Sequence, residues 1–375
     1  MIYSPVMTPL NWVEIDLAAI RNNTRRLREL AGGAAVMAVV KANAYGHGAA
    51  PVGRAAAEAG AAWLGVARPA EALELRAAGI SAPVLVLGYT PPEAATEAIG
   101  QEVTLAVFDA GTAAAYAAAA RAMGKKARVH VKLDTGMGRL GVAAEDGPAF
   151  VQALHRLDGL EVDGLFTHFA ASDMAGTAAT LAQVERFDGA LAALTAAGQR
   201  PRWVHAANSA GLAHYPAARY NLVRGGILLY GLDPSAEAPC PPGFSPALAW
   251  KARVVQVKTL PPGHGVSYGA EYVTTTHETV AVVAAGYGDG YRRVPKGVNE
   301  VLLGGQRAPV RGRVCMDQVV VGVSEVPGVR VGDEAVLLGR QGDETISAND
   351  LASRWKTIDY DVVTGIMARV ERLYV

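Results

Sequence analysis

The order of β-type and helix-type segments predicts an α/β chain, with an N-terminal (β/α)8 TIM-type barrel followed by a mostly β C-terminal domain. Three observations carry this. Short apolar runs alternate with alanine-rich helical stretches over residues 36–226. A stretch rich in proline and small residues, DPSAEAPCPPGFSPA (233–247), then breaks the pattern as a linker would. Beyond it come β-type runs punctuated by turn pairs such as PG, GG and GD, with few helical segments. Strands alternating with helices in this number suit a closed barrel. An open doubly wound sheet is the alternative, but its early G-x-G-x-x-G fingerprint does not follow the first strand.

The barrel strands are VMAVV (36–40), WLGVA (63–67), VLVLG (84–88), VTLAV (103–107), RVHVKLD (128–134), VDGLFTH (162–168), WVHAA (203–207) and YNLVRGG (220–226). Between them lie helical segments such as PAEALELRAAG and TLAQVERFDGALAALTAAG. In the second, Leu181, Val184, Phe187, Leu191 and Leu194 recur at spacings of three and four and predict a buried stripe. Gly79 and Gly198 stand where left-handed C-terminal caps would end these two helices. Past the linker, WKARVVQVKTL, ETVAVVAAGYG, EVLLGG, APVRGRVCMDQVVVGV and EAVLLG predict strands. SANDLASRW predicts a helix capped by Ser347, with Asp350 three residues on. The expected domains are 1–240 and 241–375.

Bulk properties narrow the function. With 375 residues, 51% of them hydrophobic, the chain can bury two cores. Its 35 basic residues balance 35 acidic ones, which offers nothing to a nucleic acid or an anionic membrane. Two cysteines, Cys240 and Cys315, cannot build a disulfide framework, and the His and Cys residues are too scattered for a zinc site, so no metal is expected. The opening MIYSPVMTPLNWVEID has neither a basic start nor a long apolar run, and no uncharged apolar run suits a membrane span. The expected compartment is the cytoplasm.

In such a barrel the active site lies at the C-terminal ends of the strands. There the polar residues gather. Lys41 ends the first strand, and Lys132 and Asp134 end the fifth, leading to Arg139. His168 ends the sixth; Asn208 and Ser209 follow the seventh; Arg224, Gly225 and Gly226 close the eighth. The loops NSAG and RGGILLYG offer a hydroxyl, backbone amides and a helix start, as barrel phosphate sites near strands seven and eight do. A phosphate near a strand-end lysine suggests pyridoxal phosphate, whose aldehyde condenses with an amine. No Walker loop and no G-x-S-x-G elbow competes.

At this point the chain resembles the alanine racemase family over nearly its whole length. The motifs that carry the resemblance are AVVKANAYGHG (38–48), KLDTGMGRLG (132–141), FTHFAASD (166–173), AANSAG (206–211), VRGGILLYG (223–231), VSYG (266–269), GYGDGY (286–291), GRVCMDQ (312–318) and IDYDV (358–362). The resemblance implies a pyridoxal-phosphate enzyme that racemises L- and D-alanine and supplies D-alanine for peptidoglycan. It implies a homodimer with shared active sites, the C-terminal domain contributing to the other subunit's site. Lys41 would hold the cofactor and, once freed, act as one base. Tyr268, from the other subunit, would act as the second on the opposite face, touching His168, which in turn meets Arg224. Arg224 would face the pyridine nitrogen and, since arginine keeps its proton, leave that nitrogen unprotonated. Tyr45, Asn208, Ser209, Gly226, Ile227 and Tyr360 would hold the cofactor, and Arg139 and the Met316 amide the substrate carboxylate. Lys132 would be a carbamylation candidate whose anion orients Arg139. Asp173, Tyr287, Arg293, Arg313 and Asp317 would form a polar gate at the substrate mouth. Alternatives are a broader serine/alanine racemase, a related pyridoxal-phosphate decarboxylase, a cofactor-binding barrel protein and a cofactor-free Schiff-base aldolase. Tyr268 and the second domain weigh against the binding protein, the decarboxylase would need a different cysteine-centred motif in place of CMD, and the aldolase would show no visible absorbance from a bound aldimine.

Overall fold

Eight short strands, most of them apolar runs, form one parallel sheet that curls almost into a closed barrel. The structure is a computed structural model and describes residues 9–174 and 177–375. The strands are β1 (Ala35–Val39), β2 (Trp63–Val66), β3 (Val84–Val86), β4 (Thr104–Val107), β5 (Ala127–Asp134), β6 (Leu160–Phe166), β7 (Trp203–His205) and β8 (Leu222–Gly225). All eight expected strands are present. Strands covered on both faces need no polar side, and β2, β3 and β4 are buried at every position. The sheet runs in chain order from β1 to β7, and β8 pairs with β1. The remaining seam is bridged where the Arg224 N–H donates to the Ala207 carbonyl at 3.0 Å.

Alternate residues of each strand share a face. Met37, Trp63, Leu85 and Leu222 form a buried apolar cluster, with Ala35, Leu87 and Trp203 packed against it. On β8 the residue two beyond Leu222 is Arg224; on β1, stepping by two from Met37 reaches Val39 and then Lys41. The same parity that builds the apolar core therefore delivers the polar residues at the strand ends.

Helix Ala178–Ala196 corrects one expectation. Phe187, Leu191 and Leu194 are buried as the stripe requires, but Leu181 is exposed and Val184 only half-buried, while Thr180 and Gln183 are buried. The cause is polar. Gln183 accepts from the Ala170 N–H at 2.8 Å and donates to the His168 carbonyl at 3.0 Å and the Thr135 hydroxyl at 3.1 Å, which turns the first helical turn toward β5 and β6. Gly79 and Gly198 adopt the left-handed conformation expected of them.

The described residues divide into two compact units, residues 17–246 and residues 9–16 with 247–375. The expected division placed residues 1–16 with the barrel; instead strand Asn11–Ile15 pairs antiparallel with Leu248–Leu260 and parallel with Glu371–Tyr374. The linker belongs to the barrel unit up to Pro246. Asn23 pins it, donating to the Ser245 carbonyl at 2.8 Å and accepting from the Ser245 N–H at 2.9 Å.

In the second unit a long strand, Leu248–Leu260, pairs with Asn11–Ile15, Glu278–Val283 and Glu334–Gln341. The run 308–323, expected as one strand, is two, Gln306–Pro309 and Val319–Gly322, separated by an irregular loop. Ser347 and Asp350 form the expected reciprocal cap of helix Ala348–Trp355. A second short helix, Asp359–Thr364, was not expected. Among the described residues no helix is long and apolar enough to cross a membrane.

One close approach in the barrel is testable. A Cβ on Gly164 of β6 would lie 2.5 Å from the buried His130 ring. Gly164→Ala should therefore destabilise the fold by roughly 1–3 kcal/mol, the usual cost of overpacking, read as a lower denaturant midpoint at unchanged slope.

Candidate active site

Arg224 is the most constrained polar group at the barrel's C-terminal rim. It is 3% exposed, and among the described residues no carboxylate pairs with it. Its neighbours are acceptors instead. Nη2 donates to the carbonyls of Ala206 at 2.8 Å and Thr167 at 2.9 Å, and to His168 Nδ1 at 3.1 Å. Nη1 donates to the His205 carbonyl at 3.1 Å and to His205 Nδ1 at 3.0 Å. Burial pushes its pKa down to about 9, still well above neutrality, so it stays a cation.

That cation assigns protons along a chain of three histidines. A guanidinium can only donate, so Nδ1 of both His168 and His205 must be an acceptor. The proton of neutral His205 then sits on Nε2, which donates to His130 Nδ1 at 2.9 Å. His130 in turn carries its proton on Nε2. Burial first, and the neighbouring cations where they reach, hold all three well below the ordinary histidine pKa, His130 to about 3. His205 also stacks on Phe166, with ring centroids 4.8 Å apart. His130 and His205 were not among the expected site residues. The signal lay in parity: His130 stands two residues before Lys132 on β5, an interruption of the same strand face.

Lys41 follows β1, and the strand end is held when the Val40 N–H donates to the Gly65 carbonyl at 2.8 Å. Its amine is held below the ordinary lysine pKa by burial first, then by the charges of Arg139 and Arg224, with Glu71 acting the other way. Lys132, 6% exposed, lies over the Phe166 ring and is pushed down to about 8 by burial, Arg139, Arg224 and Lys41, against Asp134. Asp134 Oδ1 accepts from the amides of Gly136, Met137 and Gly138, which shapes the loop carrying Arg139. Four cationic side chains thus share one rim.

Ser209, Gly226 and Tyr45 converge beside it. Ser209 Oγ accepts from the Gly226 N–H at 2.9 Å and the Leu228 N–H at 3.3 Å. A Cβ on Gly226 would sit 3.0 Å from the Tyr45 hydroxyl, so glycine keeps a small polar cradle open, with buried Ile227 next in the chain. Asn208, expected among the cofactor ligands, is engaged locally: its Oδ1 accepts from the Gly211 N–H at 2.8 Å and the Ser172 hydroxyl at 2.9 Å. Asp173 neighbours this region, its carbonyl accepting from the Ser235 hydroxyl.

The remaining expected residues lie in the second unit. Tyr268 is 65% exposed on a one-turn 3-10 helix after Ser267, whose hydroxyl donates to the Arg313 carbonyl at 2.6 Å. Arg313 pairs with Glu271, and both line an open depression of about 690 Å³ with Arg293 and Lys296. Met316 is exposed, and its carbonyl accepts from the Gly288 N–H at 2.8 Å. The carbonyl of Cys315 accepts from the Tyr287 N–H at 3.0 Å. Asp317 is paired with Arg369 at 2.6 Å, which also holds Asp289. Tyr360 is half-buried on helix Asp359–Thr364.

Both units match known families. Residues 15–234 match the family described as alanine racemase, N-terminal domain, and residues 247–374 that described as alanine racemase, C-terminal domain. The alanine racemase of Symbiobacterium thermophilum is 49% identical over 363 residues, which cover 97% of this chain and 96% of that one. Among solved structures, the alanine racemase from D-cycloserine-producing Streptomyces lavendulae is 42% identical with a TM-score of 0.93, covering 98% of each chain. The alanine racemase from Bacillus anthracis with bound L-Ala-P is 39% identical with a TM-score of 0.92, covering 98% of this chain and 96% of that one.

The histidine chain has a pH signature. His130 and His205 are neutral when folded and take up protons near pH 6.5 when unfolded. Below that pH the unfolded chain binds more protons, so stability is full above about 6.5 and is lost as pH falls. Each should add a slope of about 1.4 kcal/mol per pH unit. Urea unfolding between pH 7 and 5 should show this dependence, and it should be shallower in His130→Gln.

Proposed function

The chain belongs to the alanine racemase family, and on that premise we propose that it interconverts L- and D-alanine with two bases, Lys41 and the Tyr268 of a second copy, in a homodimer. Its cofactor would be pyridoxal 5′-phosphate, and its product D-alanine would serve peptidoglycan. The observation that carries the reading is the proton assignment at His168. Because Nδ1 accepts from Arg224, the ring proton is left on Nε2.

The residues present fit the cofactor. The Ser209 hydroxyl, the Gly226 amide and the Tyr45 hydroxyl surround a space that any side chain at 226 would fill, which suits a phosphate. Both Nη groups of Arg224 are engaged, which leaves its Nε–H as a donor without a protein acceptor among the described residues. A neutral pyridine nitrogen is the matching acceptor. When bound, pyridoxal phosphate withdraws electrons from the substrate and acidifies its α-proton.

The rest is work for the chain's own groups. Lys41 would anchor the cofactor, and its amine, held below the ordinary lysine pKa by burial and the charges of Arg139 and Arg224, would serve as one base when free. That amine removes or returns the α-proton on one face. Tyr268 does so on the other, and a tyrosine must be a phenolate to act as a base. The His168 Nε2–H is a neutral donor available to orient the hydroxyl of that Tyr268. Arg139 and the Met316 amide orient the substrate carboxylate, Tyr360 lines the cofactor pocket, and Asp173, Tyr287, Arg293, Arg313 and Asp317 form the mouth. Lys132 acquires a carbamate: its neutral amine attacks the carbon of CO2, a C–N bond forms and a proton goes to solvent. The resulting anion sits among Arg139, Arg224 and Lys41, where a bare ammonium is disfavoured.

The purified protein should show a visible absorption band that borohydride bleaches and that Lys41→Ala lacks. It should abolish the optical rotation of L-alanine. Tyr268→Phe should keep the band and lose at least ~100-fold in racemisation, the usual scale of a missing acid–base group. A folded protein supplied with cofactor but showing no band overturns the cofactor assignment; full activity in Tyr268→Phe overturns the two-base reading. With 13C-bicarbonate, a carbamate carbon signal should appear and be absent from Lys132→Ala.

A further inference from the structure

Four consecutive residues after Lys41 adopt the left-handed conformation, and none is glycine. Ala42, Asn43, Ala44 and Tyr45 have φ of 52°, 52°, 53° and 52°. Such a turn costs roughly 1–2 kcal/mol per residue for L-amino acids, so surrounding contacts must hold it. Most are internal. Ala44 N–H donates to the Val40 carbonyl at 2.8 Å, Gly46 N–H to Ala42 at 3.0 Å and Gly48 N–H to Asn43 at 2.9 Å. The Ala49 N–H donates to Asn43 Oδ1 at 2.8 Å.

The first amide of the turn, that of Ala42, has a different acceptor. It donates to Glu71 Oε1 at 2.6 Å. Glu71 is in the first turn of helix Pro69–Ala77, and its other oxygen accepts from the amides of Ala67 at 2.7 Å and Arg68 at 3.0 Å. The carboxylate is therefore fixed to the loop after β2 by two bonds and grips the residue after Lys41 by a third. It also lies near enough to act on the Lys41 amine, against Arg139 and Arg224. The other charged or titratable groups facing that amine are Lys132, His168 and Tyr45, whose ring centroid lies 5.9 Å from Nζ.

We propose that Glu71 is the positioning residue of Lys41, holding the left-handed turn through the Ala42 amide and serving as the counter-charge of the lysine amine. The proposal rests on the assignment of Lys41 given above. Neither motif reading nor strand-end position points to Glu71, which lies 30 residues away in a helix start. Glutamine at 71 has one acceptor oxygen and cannot serve both loops. In the full-length holoenzyme, Glu71→Gln should lower kcat about 10-fold or more, the scale of one lost charge-assisted hydrogen bond. KM for alanine should change little, because the carboxylate-binding groups are untouched.

Three further measurements separate this from helix capping alone. In the full chain freed of cofactor, the pH midpoint for labelling Lys41 with an amine-selective reagent, followed by mass, should move to lower pH in Glu71→Gln. Adding Ala42→Gly at this exposed site removes the Cβ cost of positive φ and should recover part of kcat, which a capping defect would not. In the wild-type holoenzyme the Ala42 amide should be protected from hydrogen exchange. An unprotected Ala42 amide, or an unshifted labelling midpoint with unchanged kcat, overturns the proposal. Should Glu71→Gln fail to fold, Glu71→Asp keeps the charge but shortens the reach, and unchanged kcat there is equally fatal. Labelling and exchange need no racemase activity, so they stand even if the reaction assignment fails.

Discussion

A guanidinium buried without a carboxylate organises the mouth of this barrel. Arg224 satisfies its Nη donors with three carbonyls and two imidazoles, and so ties the ends of β6 and β7 to β8. A buried cation without a counter-charge is tolerable only when its donors are largely met by acceptors, and both Nη groups are. The arrangement also has a chemical result. Because arginine does not accept, each imidazole it touches is forced into one tautomer, and the choice passes from His205 to His130 deep in the barrel. One side chain thus sets geometry, charge and proton position together.

The rim around it is strongly positive for so small a volume. Lys41, Lys132 and Arg139 join Arg224, and burial adds to their mutual repulsion, lowering both lysines. Such a site favours an anionic ligand and lysines that give up protons easily. The carboxylates nearby are committed elsewhere: Asp134 binds the amides of its own loop, and Glu71 those of three residues at two strand ends. Both fix the loops of the rim through backbone amides, and Glu71 also faces the Lys41 amine. Gln183 completes the frame by bonding the His168 carbonyl and the Ala170 N–H, on either side of Phe169.

Much of the fold was legible because parallel strands covered on both faces have to be apolar. Six of the eight barrel strands are nearly or wholly apolar up to their ends; β5 and β6 carry Arg128, His130, Glu161 and Asp163 within the strand, and Lys41, Lys132, His168 and Arg224 fall at or just past strand ends. Misreadings came where polar contacts override the pattern. Helix Ala178–Ala196 exposes Leu181 because Gln183 is drawn inward by three hydrogen bonds. The run 308–323 reads as continuous β-type residues, yet 310–318 is irregular, its backbone partly bonded to 287 and 288 rather than to a neighbouring strand. Strand Asn11–Ile15 joined the second unit because its pairing partners lie at 248–252 and 371–374, a distance no local pattern encodes.

The amino-acid sequence by itself determined the alternation of elements, the strand ends on which Lys41, Lys132, His168 and Arg224 stand, and the motifs that mark the family. These depend on residue type and spacing along the chain. Tertiary structure alone decided which nitrogen of each histidine holds the proton, which carboxylate answers Lys41, and why four residues after it can turn left-handed. Those outcomes depend on hydrogen bonds between loops far apart in the chain, such as Ala42 to Glu71 and Arg224 to His168. A hydrogen bond of that kind is a matter of distance and direction in space, and neither is written in the order of the residues.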